Sequence, residues 1–204
     1  MERRDNYAIS AAQARQLFLN YDQDALAKKL RTELEGDYLY TAMLAEPYRI
    51  HRTTGDISRF HGGKWVEANS FGESLTLLDL VCDSRPDRFT TGRFKNMHDF
   101  GLQFHSNLLS GQVDPWAVRF QQQPEAFAKA CQALGGERYP VGDAAYCLEV
   151  FDGLRVLIQL WFGDDEFPPQ LRWLWDENAL MYLKYETMWY ALEVILKRLE
   201  ENME

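Results

Sequence analysis

Apolar and polar positions alternate along this chain with a period that changes several times, and the changes mark its elements. From residue 9 to 35, Leu17, Tyr21, Leu26, Leu30 and Leu34 recur at roughly helical spacing and alanine is frequent. The pattern predicts helix there, with Asp22 or Asp24 as the cap of a second helix and Gly36 closing the section. From Tyr38 onward aromatic and β-branched residues take over, broken by turn signals. Strands are expected near 38–44, 47–52 and 56–60, with turns at Thr54-Gly55-Asp56 and Gly62-Gly63. Pro47 favours an edge or a strand start. Residues 71–83 return to helical spacing, with Leu75, Leu78 and Val81 inward, and 83–92 read as loop. Between 93 and 114 neither period wins. A short helix is expected after Asp114-Pro115. A clearer one starts near Pro124 and stops at Gly135-Gly136, with proline at the first turn and glycine at the end.

The last third is the most regular. "AAYCLEVF" and "LRVLIQLWF" flank Asp152-Gly153, and an Asp-Gly pair between two β-rich runs is a strong hairpin signal. After "GDDEFPP", "LRWLWD" supplies a third strand, and 184–201 form a final helix with Met188, Leu192, Ile195 and Leu199 on one face. The expected class is α+β: a C-terminal three-stranded antiparallel meander packed on a long C-terminal helix, with N-terminal helices and a small antiparallel sheet. One domain is expected over 1–204, with an N-terminal helix and small-sheet part at 1–70 and a meander–helix part at 140–204.

Composition narrows the function classes. Hydrophobic residues make up 46% and aromatic residues 14% of the 204 positions, which supports a folded core and not a disordered chain. A formal net charge of −9 with scattered basic residues argues against nucleic-acid and anionic-membrane surfaces as partners. Cys82, Cys131 and Cys147 are widely spaced without a CxxC pair, so neither a zinc ribbon nor an iron–sulfur site is indicated. The N-terminus lacks an apolar stretch of the signal-peptide kind, and the apolar run Leu154 to Phe162 is too short to span a bilayer. A cytoplasmic location is the resulting expectation.

Candidate chemistry comes from where the hairpin brings carboxylates together. If Phe151 faces Leu154, Asp143 lies across from Phe162, and Gly142-Asp143 sits beside Gly163-Asp164. At a strand spacing of about 4.8 Å the two carboxylates can come within several ångströms, and Glu166 can join them. If Gly163 faces Gln170, Asp176 falls near Leu157, roughly 20 Å away at the opposite end of the meander. Carboxylates without thiols suit a hard divalent cation such as Mg²⁺ or Ca²⁺, and a crowded pair suits acid–base work. Acidic residues and glycines also simply terminate strands. His98 and His105, seven apart with Asp99 close by, would share a face if helical. No Walker, GxGxxG, GxSxG or HExxH motif occurs.

These motifs carry a family likeness. Gly142, Asp143, Ala144 and Ala145, then Trp161, Gly163, Asp164, Glu166, Phe167 and Pro168, then Asp176, Tyr182, Leu183 and Glu186 resemble the motifs of the prokaryotic family domain of unknown function 3786. The likeness is strong over about 140–200 and looser upstream, where "GRFKNMHDFG" is comparable. Some relatives carry a cysteine-rich iron–sulfur segment like that of corrinoid proteins. This chain has none, so the likeness implies any link to that chemistry through a partner. Glu177, Asn178 and Leu180 replace residues that are usually small after the family's aspartate. The expected role is therefore a small-ligand or metal binding module, with Asp143, Asp164, Glu166, Asp176, Tyr182, Glu186, His98 and His105 as candidate residues. The alternatives are an enzyme using the acidic cluster with a divalent cation, and an accessory protein–protein interaction domain.

Overall fold

A computed structural model describes residues 6–100 and 114–204. The chain is α+β, with two five-stranded antiparallel sheets and a long C-terminal helix. Contacts divide it into two compact units, Met1–Arg88 with Leu180–Leu196, and Phe89–Ala179 with Lys197–Glu204.

In the first unit the helical section divides, as expected, into α1 (Asn6–Phe18) and a second helix, α2 (Gln23–Leu30). The break is made by Asp22, whose side chain accepts the Ala25 N–H and caps α2. It also rotates the buried stripe: Phe18 is fully buried, whereas Leu17 and Tyr21, expected inside, are exposed. Arg31, at φ 53°, ends α2, and Gly36 serves a strand turn instead. The sheet follows in order β1 (Leu34–Glu35), β2 (Tyr38–Met43), β3 (Glu46–His51), β4 (Ile57–His61) and β5 (Lys64–Glu67). It has two more strands than the periodicity indicated, because β1 and β5 are too short to show one. Leu39, Met43, Tyr48, Ile50 and Ile57 alternate onto its buried face. Next, α3 (Phe71–Leu78) passes into a π-helical turn, Asp79–Asp83. Leu78 and Val81 are buried as expected, but Leu75 is only half-buried. The last helix, α6 (Tyr185–Met203), buries Met188, Leu192, Ile195 and Leu199, the four residues of the expected face.

In the second unit the sheet order is β6-β10-β9-β8-β7. The expected meander forms its centre: β8 (Ala144–Phe151), β9 (Leu154–Trp161) and β10 (Gln170–Asp176). Short outer strands, β6 (Phe94–Asn96) and β7 (Glu137–Arg138), flank it. Two helices, α4 (Pro115–Gln122) and α5 (Pro124–Ala133), both begin on proline. Phe120 and Phe127 stack at 4.5 Å between ring centroids, and Phe127 meets Tyr146 of β8 edge-on at 5.7 Å. Fully burying each such ring stabilises the unit by about 1.5–3 kcal/mol.

Register differs from expectation in two places, each with a local cause. Phe151 does pair with Leu154 across Asp152-Gly153, whose φ values of 44° and 85° suit the two-residue turn. A bulge between Glu149 and Phe151 then shifts the remaining pairs by one, so Ala144 faces Leu160. In the second hairpin Gln170 pairs with Trp161, two residues before the expected Gly163. The prolines Pro168 and Pro169 offer no N–H to a ladder, so pairing cannot extend into this loop.

Candidate functional site at the rim of the second sheet

The loop after β9 closes on itself. A Cβ on Gly163 would lie 2.6 Å from the Pro169 nitrogen and 2.8 Å from the Phe167 carbonyl oxygen, so only glycine fits. The Gly163 N–H donates to Gln121 Oε1 of α4 at 2.6 Å. The Asp164 N–H donates to the Phe167 carbonyl at 2.9 Å. In return the Asp164 carboxylate accepts the N–H groups of Glu166 (2.9 Å) and Phe167 (2.8 Å). Those two backbone donors hold its carboxyl below the usual carboxylate range.

Asp143 enters the same rim from β8. Its N–H donates to the Leu160 carbonyl at 3.2 Å, and its carboxylate accepts the Phe162 N–H at 2.8 Å. Both aspartates thus lie at this end of the sheet, as their register required, and both are exposed. Their carboxylates are committed to different backbone amides. Among the described residues no group of three or more His, Cys, Asp or Glu is placed to hold a metal ion. Loop closure uses one Asp164 oxygen, Oδ1, and the Phe162 amide uses one Asp143 oxygen, Oδ2.

The rim presents aromatic surface instead. Trp161 is 40%, Phe162 41% and Phe167 62% exposed, beside the exposed side chains of Asp165 and Glu166. Two arginines of this sheet are hydrogen-bonded elsewhere: Arg138 donates to the carbonyls of Asp143 (2.8 Å) and Ala145 (3.0 Å), and Arg172 to Gln170 Oε1 (3.0 Å).

The other candidates have separate settings. Asp176 is fully buried at the far end of β10, paired with Phe94. It accepts the Thr91 (3.0 Å) and Gly92 (2.8 Å) N–H groups on one oxygen and the Asn178 N–H (3.0 Å) on the other. None of these donors belongs to the Asp164 loop. In the first unit Tyr182 is buried with Arg88 over its ring at 5.9 Å, and Glu186 is exposed in the first turn of α6. His98 is exposed in a 3₁₀ turn, Met97–Phe100, and Asp99 accepts the Asn96 N–H at 3.2 Å. His105 lies outside the described residues.

A polar network that the sequence did not reveal sits at the π-helical turn of the first unit. Lys184 Nζ lies 2.6 Å from Asp79 and 2.5 Å from Asp83, and its N–H donates to Asp79 at 2.8 Å. The Tyr21 hydroxyl donates to Asp83 at 2.7 Å. That bond, with burial, pushes the Tyr21 phenol up to about 12. Burial opposes charge on Asp83, but the Lys184 and Tyr21 bonds outweigh it and hold the carboxyl below its ordinary value. Lys29 Nζ donates to the carbonyls of Cys82 (2.8 Å) and Ser84 (3.1 Å). The residues are scattered in sequence, so no motif marks them. All three cysteines are unpaired, and burial raises each thiol, that of Cys82 to about 12, which makes them poor nucleophiles.

Among the described residues no helix is long and apolar enough to cross a membrane. Residues 22–198 match the family described as Domain of unknown function (DUF3786). No curated protein and no solved structure matches the chain.

Proposed function

We propose that this chain, which belongs to the DUF3786 family of domains of unknown function, is a binding module that docks a partner protein on the rim of its second sheet. The supporting observation is three exposed aromatic side chains, Trp161 at the end of β9 and Phe162 and Phe167 after it, with exposed carboxylates on a loop closed by its own hydrogen bonds. Apolar area gives such a surface its affinity, and the pre-formed loop lowers the ordering cost of binding. The exposed rim carboxylates of Asp143, Asp164, Asp165 and Glu166 favour a cationic and apolar segment as the partner, because lysine or arginine can both pair with them and lie over the rings. The three unpaired cysteines suit a reducing, cytoplasmic setting for this role.

The test is a titration of the ¹⁵N-labelled chain with a capped synthetic peptide alternating lysine and leucine, against a glutamate–leucine control. The lysine peptide is expected to shift the Gly163 and Phe167 amides and the Trp161 indole N–H, with affinity falling about tenfold in the W161S/F167S variant. That variant leaves the net charge unchanged, so it separates rim docking from general attraction to an acidic protein. Equal response to both peptides, or no loss in the variant, would sink the proposal.

A further inference from the structure

The outer face of the first sheet holds a second unclaimed feature, independent of the rim. Strand pairing places Tyr38 beside His51, Tyr40 beside Arg49, Arg49 beside Ser58, and Phe60 beside Trp65. These residues alternate with the buried Leu39, Tyr48, Ile50 and Ile57, so they occupy the opposite face. A one-sided antiparallel sheet usually makes that face polar. Here it carries four rings, with Tyr40 and Trp65 at 6.0 Å and Phe60 and Trp65 at 5.4 Å.

Arg49 stands among them. Its guanidinium carbon lies 4.1 Å from the Tyr38 ring centroid and 4.4 Å from that of Trp65. Its Nε is sealed from solvent without a hydrogen-bond partner, and among the described residues Arg49 makes no ion pair. The rings cover the faces of the cation, which leaves the in-plane Nη donors open. A guanidinium held in this way is pre-ordered for side-on, bidentate recognition of a carboxylate or phosphate. Carboxylates sharing the face are Glu33, whose carbonyl accepts the Tyr40 N–H, Glu35, paired with Tyr38, and Glu67, paired with Ser58 and accepting from Asn69. They stand at the two edges, so a polyanion such as single-stranded nucleic acid is repelled while a single oxyanion at the centre is not.

We infer that Arg49, with Tyr38, Tyr40, Phe60 and Trp65, forms a site for a small molecule bearing one oxyanion on a flat unsaturated body. The oxyanion meets the Nη donors, and the body lies on the half-exposed rings, of which Phe60 is 39% exposed.

The probes are phenyl phosphate and benzoate, with benzyl alcohol as the uncharged control, added to the full chain. The readout is the Arg49 Nε–Hε resonance, assigned by its absence in Arg49→Gln. A saturable shift with either anion, at least about tenfold tighter than any response to benzyl alcohol, supports the site. Response to phenyl phosphate alone names a phosphate ligand, to benzoate alone a carboxylate, and to both an oxyanion of either kind. Arg49→Lys keeps the charge and loses the planar fork, so it is expected to bind at least about fivefold more weakly while retaining the wild-type spectrum elsewhere. No shift in the wild type at tens of millimolar, a shift equal to that of benzyl alcohol, or undiminished binding in Arg49→Lys would overturn the inference. The resonance is equally absent in Arg49→Lys, so the assignment and the wild-type titration stand even if Arg49→Gln fails to fold.

Discussion

Replacing Asp176 with asparagine preserves the shape of a fully buried side chain while removing its charge and one acceptor. The wild-type carboxylate takes three backbone N–H groups, from Thr91, Gly92 and Asn178, at 2.8–3.0 Å. An asparagine oxygen turned toward Thr91 and Gly92 keeps two of them, and its amide nitrogen then faces the Asn178 N–H, donor against donor. A hydrogen bond to a charged group contributes about 1.5–3 kcal/mol, a neutral one about 1 kcal/mol, and a stranded buried donor costs about 1–3 kcal/mol. One charged bond is lost and two are weakened. Relief from burying a charge offsets part of this, and the exposure of Thr91 and Gly92 lets water replace part of the rest. The expected net loss is about 2–4 kcal/mol. Urea unfolding of the second unit checks the magnitude. Hydrogen exchange checks the place: the Thr91, Gly92 and Asn178 amides should lose protection first. A change below about 0.5 kcal/mol, with those amides still protected, would refute the argument that Asp176 organises this loop.

Two further outcomes follow from geometry. Gly163→Ala should open the loop by about 1–3 kcal/mol, because its Cβ meets backbone that cannot yield; amide shifts of Glu166 and Phe167 moving toward random-coil values would report it, and an unchanged spectrum would contradict it. Tyr21→Phe should flatten the alkaline stability profile. The phenol's folded value of about 12 lies above its unfolded value of 10.0, so its contribution is complete below the unfolded value and lost as pH rises through the folded one. Wild type should therefore lose more stability than the variant between those two values in urea unfolding, and parallel profiles would count against the Tyr21–Asp83 bond.

Much of the second unit was legible because local signals agreed. Asp152-Gly153 specified its turn, the two β-rich runs beside it specified its strands, and the family motifs fell on the same residues. What escaped was set by events that leave little sequence trace. The bulge at Glu149 moves Asp143 by one place, and the second ladder stops at Trp161, two residues short of the expected Gly163. The carboxylates at 143 and 164 lie at one end of the sheet, and one oxygen of each accepts from backbone amides. Trp161 and Phe162 read as the end of a core strand and are exposed because the ladder stops at Trp161. Arg49 gave no signal at all, since its setting arises from side chains on β2 and β5 reaching across the sheet.

The central claim, that the rim of the second sheet docks a cationic and apolar segment, is tested most directly by locating the contact. Isotope-filtered NOE spectroscopy on the ¹⁵N,¹³C-labelled chain with the unlabelled lysine–leucine peptide does this. The account expects cross-peaks from peptide leucine methyls and lysine side-chain methylenes to the rings of Trp161, Phe162 and Phe167. Cross-peaks confined to other exposed aromatics, such as Phe89 and Tyr139, or none to the rim under saturating peptide, would contradict it.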